Sequence, residues 1–210
     1  LYFMMGLPTE TMEDIEGIAN LAQKVVDLFY SLPTKPKGKG VTVSISCACF
    51  VPKPFTPFQF EGQDTMELLR QKQKRLRDSV KSKKISVSYH DADTSFIEAI
   101  LAKGDRRLCS MVEAAWRKGS KLDGWNEYFV PQRWYDAMAE QGIDPAFYAN
   151  RPRPFGEILP WDHLDYCVTK EFLVRENKRS HEDKTTPHCR TQCSGCGANR
   201  LVGGTCFGKN

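Results

Sequence analysis

Apolar and polar positions recur along this chain in an order that predicts strand, helix and strand, followed by a longer helical stretch. Leu1 to Met5 form an apolar run that meets a turn at Gly6-Leu7-Pro8, the pattern of a buried parallel strand. Pro8-Thr9-Glu10-Thr11 opens a helix in which Thr11 can cap the amino end and Glu13 and Asp14 occupy the positive first turn. Ile15, Ile18, Ala22, Val25 and Phe29 follow at spacings of three and four, one apolar face. The Pro/Gly/Lys-rich segment 32–40 ends that helix. From Val41 to Phe50 the period changes to two. Val41, Val43, Ile45, Cys47 and Cys49 share one face, and Thr42, Ser44, Ser46 and Ala48 the other. Such a βαβ unit implies parallel strands and a right-handed crossover. The small, polar second face suits a barrel lumen that leaves room for a ligand.

From Asp64 onward the periodicity is mainly helical. Asp64 and Glu67 form a capping-box pattern, and Met66, Leu69, Gln73, Leu76 and Val80 mark an inner face. Arg70, Lys72, Lys74, Arg75, Arg77, Lys81, Lys83 and Lys84 are placed outside. Ile85, Val87 and Tyr89 alternate as a short strand. Ser95 and Glu98 suggest a second capping box for a helix ending at Gly104. A further helix after Arg107 points Leu108, Val112 and Ala115 inward and ends at Gly119. The stretch 124–142 is aromatic-rich, 144–166 has little periodicity, and a last amphipathic helix spans Thr169 to Lys178.

Composition narrows the class. The 210 residues are 40% hydrophobic and 27% charged, as in an ordinary folded domain rather than a disordered or fibrous chain. A net charge of +4 is too small to imply nucleic-acid binding by itself. No apolar run approaches the roughly 18 residues of a membrane span, so no membrane partner is expected. Eight cysteines without a secretory pattern favour a reducing, cytoplasmic setting and metal or redox roles over disulfides. The absent initiator Met and the strand met in its middle suggest the C-terminal part of a longer protein.

The cysteines are unevenly placed. Cys189, Cys193 and Cys196, at gaps of three and two, can wrap one corner of a cluster or metal, and Cys206 can reach round as the fourth ligand. Gly195, Gly197, Gly203 and Gly204 permit the tight turns this needs. Four thiolates serve a [4Fe–4S] cluster or a structural zinc; the spacing favours iron–sulfur, because zinc ribbons usually pair two-residue gaps. By strand parity Cys47 and Cys49 read as core thiols, and Cys109 and Cys167 are assigned to the core with them. His181 and His188 lie close enough to substitute for one Cys, but each reads as a solvent-exposed histidine. His90, Asp91, Asp93, His163 and Asp165 could furnish a mononuclear metal site, but no spacing makes them converge.

Met4-Met-Gly-Leu-Pro-Thr-Glu-Thr11 and Phe50-Val-Pro-Lys-Pro-Phe-Thr-Pro57 resemble the late strands of the radical S-adenosylmethionine (radical SAM) enzymes, with Thr9 and Phe55 where many members have Gly. Ser95 to Arg107 and the tail from Thr186 to Gly197 are similar to cobalamin-binding-domain-linked radical SAM proteins of unassigned function. The patches cover nearly the whole chain in order. The resemblance implies an α/β fold: the last β-α-β portion of a partial (β/α)6 barrel over 1–60, a mainly helical extension over 61–180 and a four-cysteine tail over 181–210. It implies SAM as cofactor of the whole enzyme, 5′-deoxyadenosyl-radical chemistry on an unknown substrate, and cobalamin in an upstream domain. Met5, Gly6, Phe50 and Val51, at the ends of the last two strands, would touch the SAM adenosine largely through backbone. The tail copies the spacing of the superfamily's SAM-cluster motif, yet only 14 residues follow Cys196, too few for a barrel. It is therefore expected to hold an auxiliary site, with the SAM cluster in the upstream part of the same polypeptide. This stretch alone is expected to be unable to cleave SAM. The alternative is a non-catalytic zinc-binding interaction module, with RNA as partner through the basic helix from Arg70 to Lys84.

Overall fold

The computed structural model describes residues 1–36, 38–204 and 206. It is an α/β structure in two compact units: residues 1–51 with 63–98, and residues 52–62 with 99–210. No helix among the described residues is long and apolar enough to cross a membrane.

The first unit is built on β1 (Tyr2–Met5), α1 (Met12–Ser31), β2 (Val43–Cys49), α2 (Met66–Ser79) and β3 (Ile85–Tyr89). The three strands form an open parallel sheet in the order β1-β2-β3. The strand expected to be last, β2, is thus central, and the alternation at Ile85, Val87 and Tyr89 continues the sheet on its far side. Thr11 caps α1 in a reciprocal box with Asp14: the Thr11 hydroxyl accepts from the Asp14 amide, and the Asp14 carboxylate accepts from the Thr11 amide. Helix α1 buries Ile15, Ile18, Ala19, Ala22 and Val26; Val25, expected inward, is exposed. These residues share one cluster with Val43, Ile45, Cys47 and Cys49 of β2 and with Leu69 and Leu76 of α2. One face of the sheet therefore carries the core. Its other face lines up Ser44 with Ser86 and Ser46 with Ser88 in register, and the Ser86 and Ser44 hydroxyls lie 3.1 Å apart.

Two helix starts differ from the sequence expectation. Thr65, rather than Asp64, caps α2 by accepting from the Leu68 amide, and Asp64 is drawn into an ion pair. Helix α3 (Ala92–Ala102) begins before Ser95; Asp91 Oδ1 accepts the Thr94 amide at 3.0 Å, and Ser95 instead donates to the Asp91 carbonyl. Helix α3 starts in the first unit and ends in the second.

The second unit contains a 3₁₀ turn over Pro57–Phe60 and helices α4 (Leu108–Arg117), α5 (Pro131–Glu140), α6 (Pro145–Ala149) and α7 (Lys170–Ser180). Helix α4 buries Leu108, Met111, Ala114 and Ala115, while Val112 is exposed. In α5, Pro131 occupies the first turn, where its missing amide costs no hydrogen bond, and buried Trp134 donates to Asp123 at 2.9 Å. Phe60, Leu159, Trp161 and Leu173 form a separate cluster, tied by the buried Trp161 Nε1 donating to Gln59 Oε1 at 2.7 Å.

Candidate functional site at the carboxyl ends of the strands

Ligands of open α/β sheets bind beyond the carboxyl ends of the strands. At that edge β1 ends at buried Met5, and Gly6 turns the chain with φ +86°, a conformation glycine adopts without strain. A side chain at Gly6 would also crowd Asp64 Oδ2 and Leu69 at 3.2 Å. The Gly6 amide donates to Glu10 Oε2 at 2.7 Å. Beside it, the Phe50 amide donates to the Met5 carbonyl at 2.7 Å, and Gln63 donates to the Phe50 carbonyl at 2.9 Å. Val51 follows Phe50 and is half-buried. Met5, Gly6, Phe50 and Val51 thus lie at one edge of adjacent strands. The Gly6 amide, the Met5 carbonyl and both backbone groups of Phe50 are engaged within the protein.

Lys72 stands behind this edge. Periodicity puts it on the solvated face of α2, yet it is only 4% exposed. Its Nζ lies 2.8 Å from Glu10 Oε2 and 2.7 Å from Asp64 Oδ2. Burial acts to lower its pKa, but the hydrogen bonds and charges of Asp64 and Glu10 outweigh it and raise the pKa. The ammonium stays charged, and the triad fixes the Gly6 turn from below. The remaining basic face of α2 is largely paired: Arg70 with Asp93 at 2.9 Å, Lys74 with Asp78 at 3.0 Å, and Arg75 Nε with Glu16 at 2.6 Å. Lys72 therefore drops out of the expected RNA-facing set.

Thr9 and Phe55 sit at φ 67° and 59°. Both carry side chains in the left-handed region that glycine prefers.

The cysteines separate by environment. Cys47 and Cys49 are buried, and burial pushes the Cys47 thiol up to about 12 and raises that of Cys49. Such thiols are poor ligands and poor nucleophiles. Cys109 and Cys167 do not join them: Cys109 is exposed and Cys167 half-buried. In the tail, Cys189, Cys193 and Cys206 are exposed and Cys196 half-buried, all as free thiols. The segment around Cys196 is docked on the start of α7. The Thr169 amide donates to the Cys196 carbonyl at 2.9 Å, Arg175 donates to the Ser194 carbonyl, and a side chain on Gly197 would come within 2.6 Å of the Cys167 carbonyl. The donor set suits a four-thiolate centre. Among the described residues, however, no three His, Cys, Asp or Glu side chains are grouped to hold a metal. His90, Asp91, Asp93, His163 and Asp165 form no such group either; Asp93 pairs with Arg70, and Asp165 accepts from the Cys167 amide and from Arg200.

Sequence reasoning missed a charged cluster in the second unit. Lys103 is fully buried, and its Nζ donates to the carbonyls of Glu61 and Arg151. Arg153 donates from Nη2 to the Lys103 carbonyl at 2.6 Å, and Arg151 grips Glu157 with two bonds of 2.8 Å. His181 is exposed, as expected, and its Nε2 lies 2.7 Å from Glu61 Oε1, which also accepts from Asn177 at 2.6 Å. The sole local signal was the pairing of Lys103 with Gly104 at a helix end and the Arg-Pro-Arg run at 151–153.

No protein-family model matches the chain, and no solved structure matches it. It is similar to an uncharacterized protein of Methanocaldococcus jannaschii, 35% identical over 143 residues that make up 68% of this chain and 29% of that protein. The chain thus spans less than a third of the length of the archaeal protein it matches.

Proposed function

We propose that this chain is the C-terminal part of a radical SAM iron–sulfur enzyme, contributing late strands of a partial (β/α)6 barrel, a helical extension and an auxiliary four-cysteine site. The observation that carries the reading is the tie between Phe50 and Met5. It sets the ends of β1 and β2 side by side, above a Gly6 turn held by Glu10 and Lys72. Those strand ends belong to the two segments that resemble the superfamily. Further support comes from the strain at Thr9 and Phe55, the positions where many members have glycine.

The upstream part of the same polypeptide would complete the sheet. β1 lies at one edge of it, and Tyr2 is 92% exposed. Leu21, Val25 and Leu28 form a second, exposed apolar stripe, rotated about 110° around α1 from the buried one. A further βα unit laid along β1 would cover both. SAM and its upstream cluster would supply the radical chemistry when bound. This chain's part would be to fix the strand ends beneath SAM and to present the small serine face of the sheet. Reading the coding sequence that precedes Leu1 tests the proposal. A Cys-x3-Cys-x2-Cys loop after an early strand is expected, and an upstream region without one removes the radical SAM assignment.

A further inference from the structure

A cavity of about 470 Å³ opens in the second unit among Phe60, Pro152, Arg153, Phe155, Lys178 and His181. That volume lies within the range of small-molecule sites. Its apolar wall is ordered, with the Phe60 and Phe155 rings edge to face at 4.9 Å. Its polar wall contains Arg153, whose side chain is 3% exposed. Arg153 Nη1 reaches Glu157 at 3.3 Å and Nη2 the Lys103 carbonyl, while its buried Nε has no partner among the described residues.

Charge counting around this wall leaves an excess. Lys103, Arg151 and Arg153 are held together, and Glu157 and Glu61 face them; Asp105, which also acts on Arg153, is already gripped by Arg107. Glu61 is already shared between His181 and Asn177. Burial, then the charges of Arg153 and Arg151, lower the Lys103 pKa to about 8, and burial lowers that of Arg153 as well. Both directions report cations crowded in a poorly solvated place. At the rim, Lys178 Nζ lies 5.4 Å from the centre of the Phe155 ring, and Glu182 is paired with Lys184 at 2.5 Å. A buried cation whose donor is unmatched is costly unless an anion reaches it.

We propose that this cavity binds a small organic anion, a carboxylate or phosphate on a flat apolar body. Phe60, Phe155 and Pro152 take the body, and Arg153, Lys178 and His181 take the charge. The residues named all belong to the second unit, and the site does not depend on the radical SAM reading.

The test is an NMR titration of the intact chain with benzoate, phenyl phosphate and neutral benzamide. Saturable shifts at Phe155, Lys178 and His181 are expected with at least one anion, and benzamide should bind about ten-fold more weakly. The tighter of the two anions identifies the head group. Because Arg153→Met removes buried bonds and can unfold the unit, the deciding variant is Lys178→Met at the rim, which should weaken the anion by about three-fold or more. Equal binding of benzamide, no saturable shift with either anion up to about 20 mM, or unchanged affinity in Lys178→Met would overturn the proposal.

Discussion

Lys72 Nζ lies 2.8 Å from Glu10 Oε2, the same oxygen that accepts the Gly6 amide. One carboxylate oxygen thereby joins the turn after β1 to helix α2. Removing the cation alone leaves Glu10 and Asp64 facing each other with little water to screen them. Lys72→Met is expected to lower stability by about 3 kcal/mol. Adding Glu10→Gln and Asp64→Asn to it should recover part of that loss, as chemical denaturation of the single and combined variants would show. A Lys72→Met protein as stable as the parent would mean that the triad does not hold the turn.

Thr9 and Phe55 share left-handed backbone but differ in what their side chains do. Thr9 is exposed, so Thr9→Gly should be neutral or stabilising by up to about 1 kcal/mol. Phe55 stacks on Tyr166 with ring centres 4.1 Å apart, and Phe55→Gly should therefore destabilise despite the relieved backbone. Thermal unfolding of the two variants separates these outcomes.

Lys103 gives a pH dependence with a defined sign. Its folded pKa is lowered to about 8, whereas an unfolded lysine titrates near about 10.4. Between these values the unfolded chain binds more protons, so this residue's destabilising effect is full below about 8 and fades as pH rises toward the unfolded value. The whole change is on the order of 3 kcal/mol. Stability differences between the parent and Lys103→Met, measured from neutral pH to about 10, should move in the parent's favour as pH rises. A flat difference would contradict the shift. The comparison with the variant matters because Cys47, raised to about 12, acts in the opposite sense at the alkaline end.

Thiol reactivity should follow burial. Cys109, Cys189, Cys193 and Cys206 are exposed, whereas Cys47 and Cys49 are buried with raised pKa values. Brief alkylation of the metal-free folded protein, read by peptide mass spectrometry, should label the first four and leave the last two unmodified. Early labelling of Cys47 would place it outside the core.

Much of the first unit was legible because its signals are local. The βαβ order, the cap at Thr11 and the inward Ile15, Ile18 and Ala22 follow from spacing alone. Val26 rather than Val25 is buried because Ile18, Ala19 and Ala22 set a face turned slightly from the one read from spacing, which leaves Val25 on its exposed flank. Lys72 shows where it stops. A lysine on a basic helix defaults to solvent, and only the fold brings Glu10 and Asp64 to its ammonium. Helix α5 was hidden for a different reason: Pro131 and the aromatic run beside it resemble a loop until Pro131 is seen at the first helical turn, where it is favourable. At the candidate site the strand-end residues were nominated by resemblance, and their bonding partners came from tertiary structure. The anion cavity had no sequence signature, because its cations are scattered along the chain.

The auxiliary cysteine site is the part of the proposed function that this chain can answer for by itself. The most direct measurement is iron, sulfide and zinc content after anaerobic purification and reconstitution, for the parent and for Cys189→Ser, Cys193→Ser, Cys196→Ser and Cys206→Ser. The account predicts about four iron and four sulfide per chain, a large loss in each variant, and protection of the four parent thiols from alkylation. One zinc per chain with no bound iron, or four freely alkylated tail cysteines after reconstitution, would contradict it.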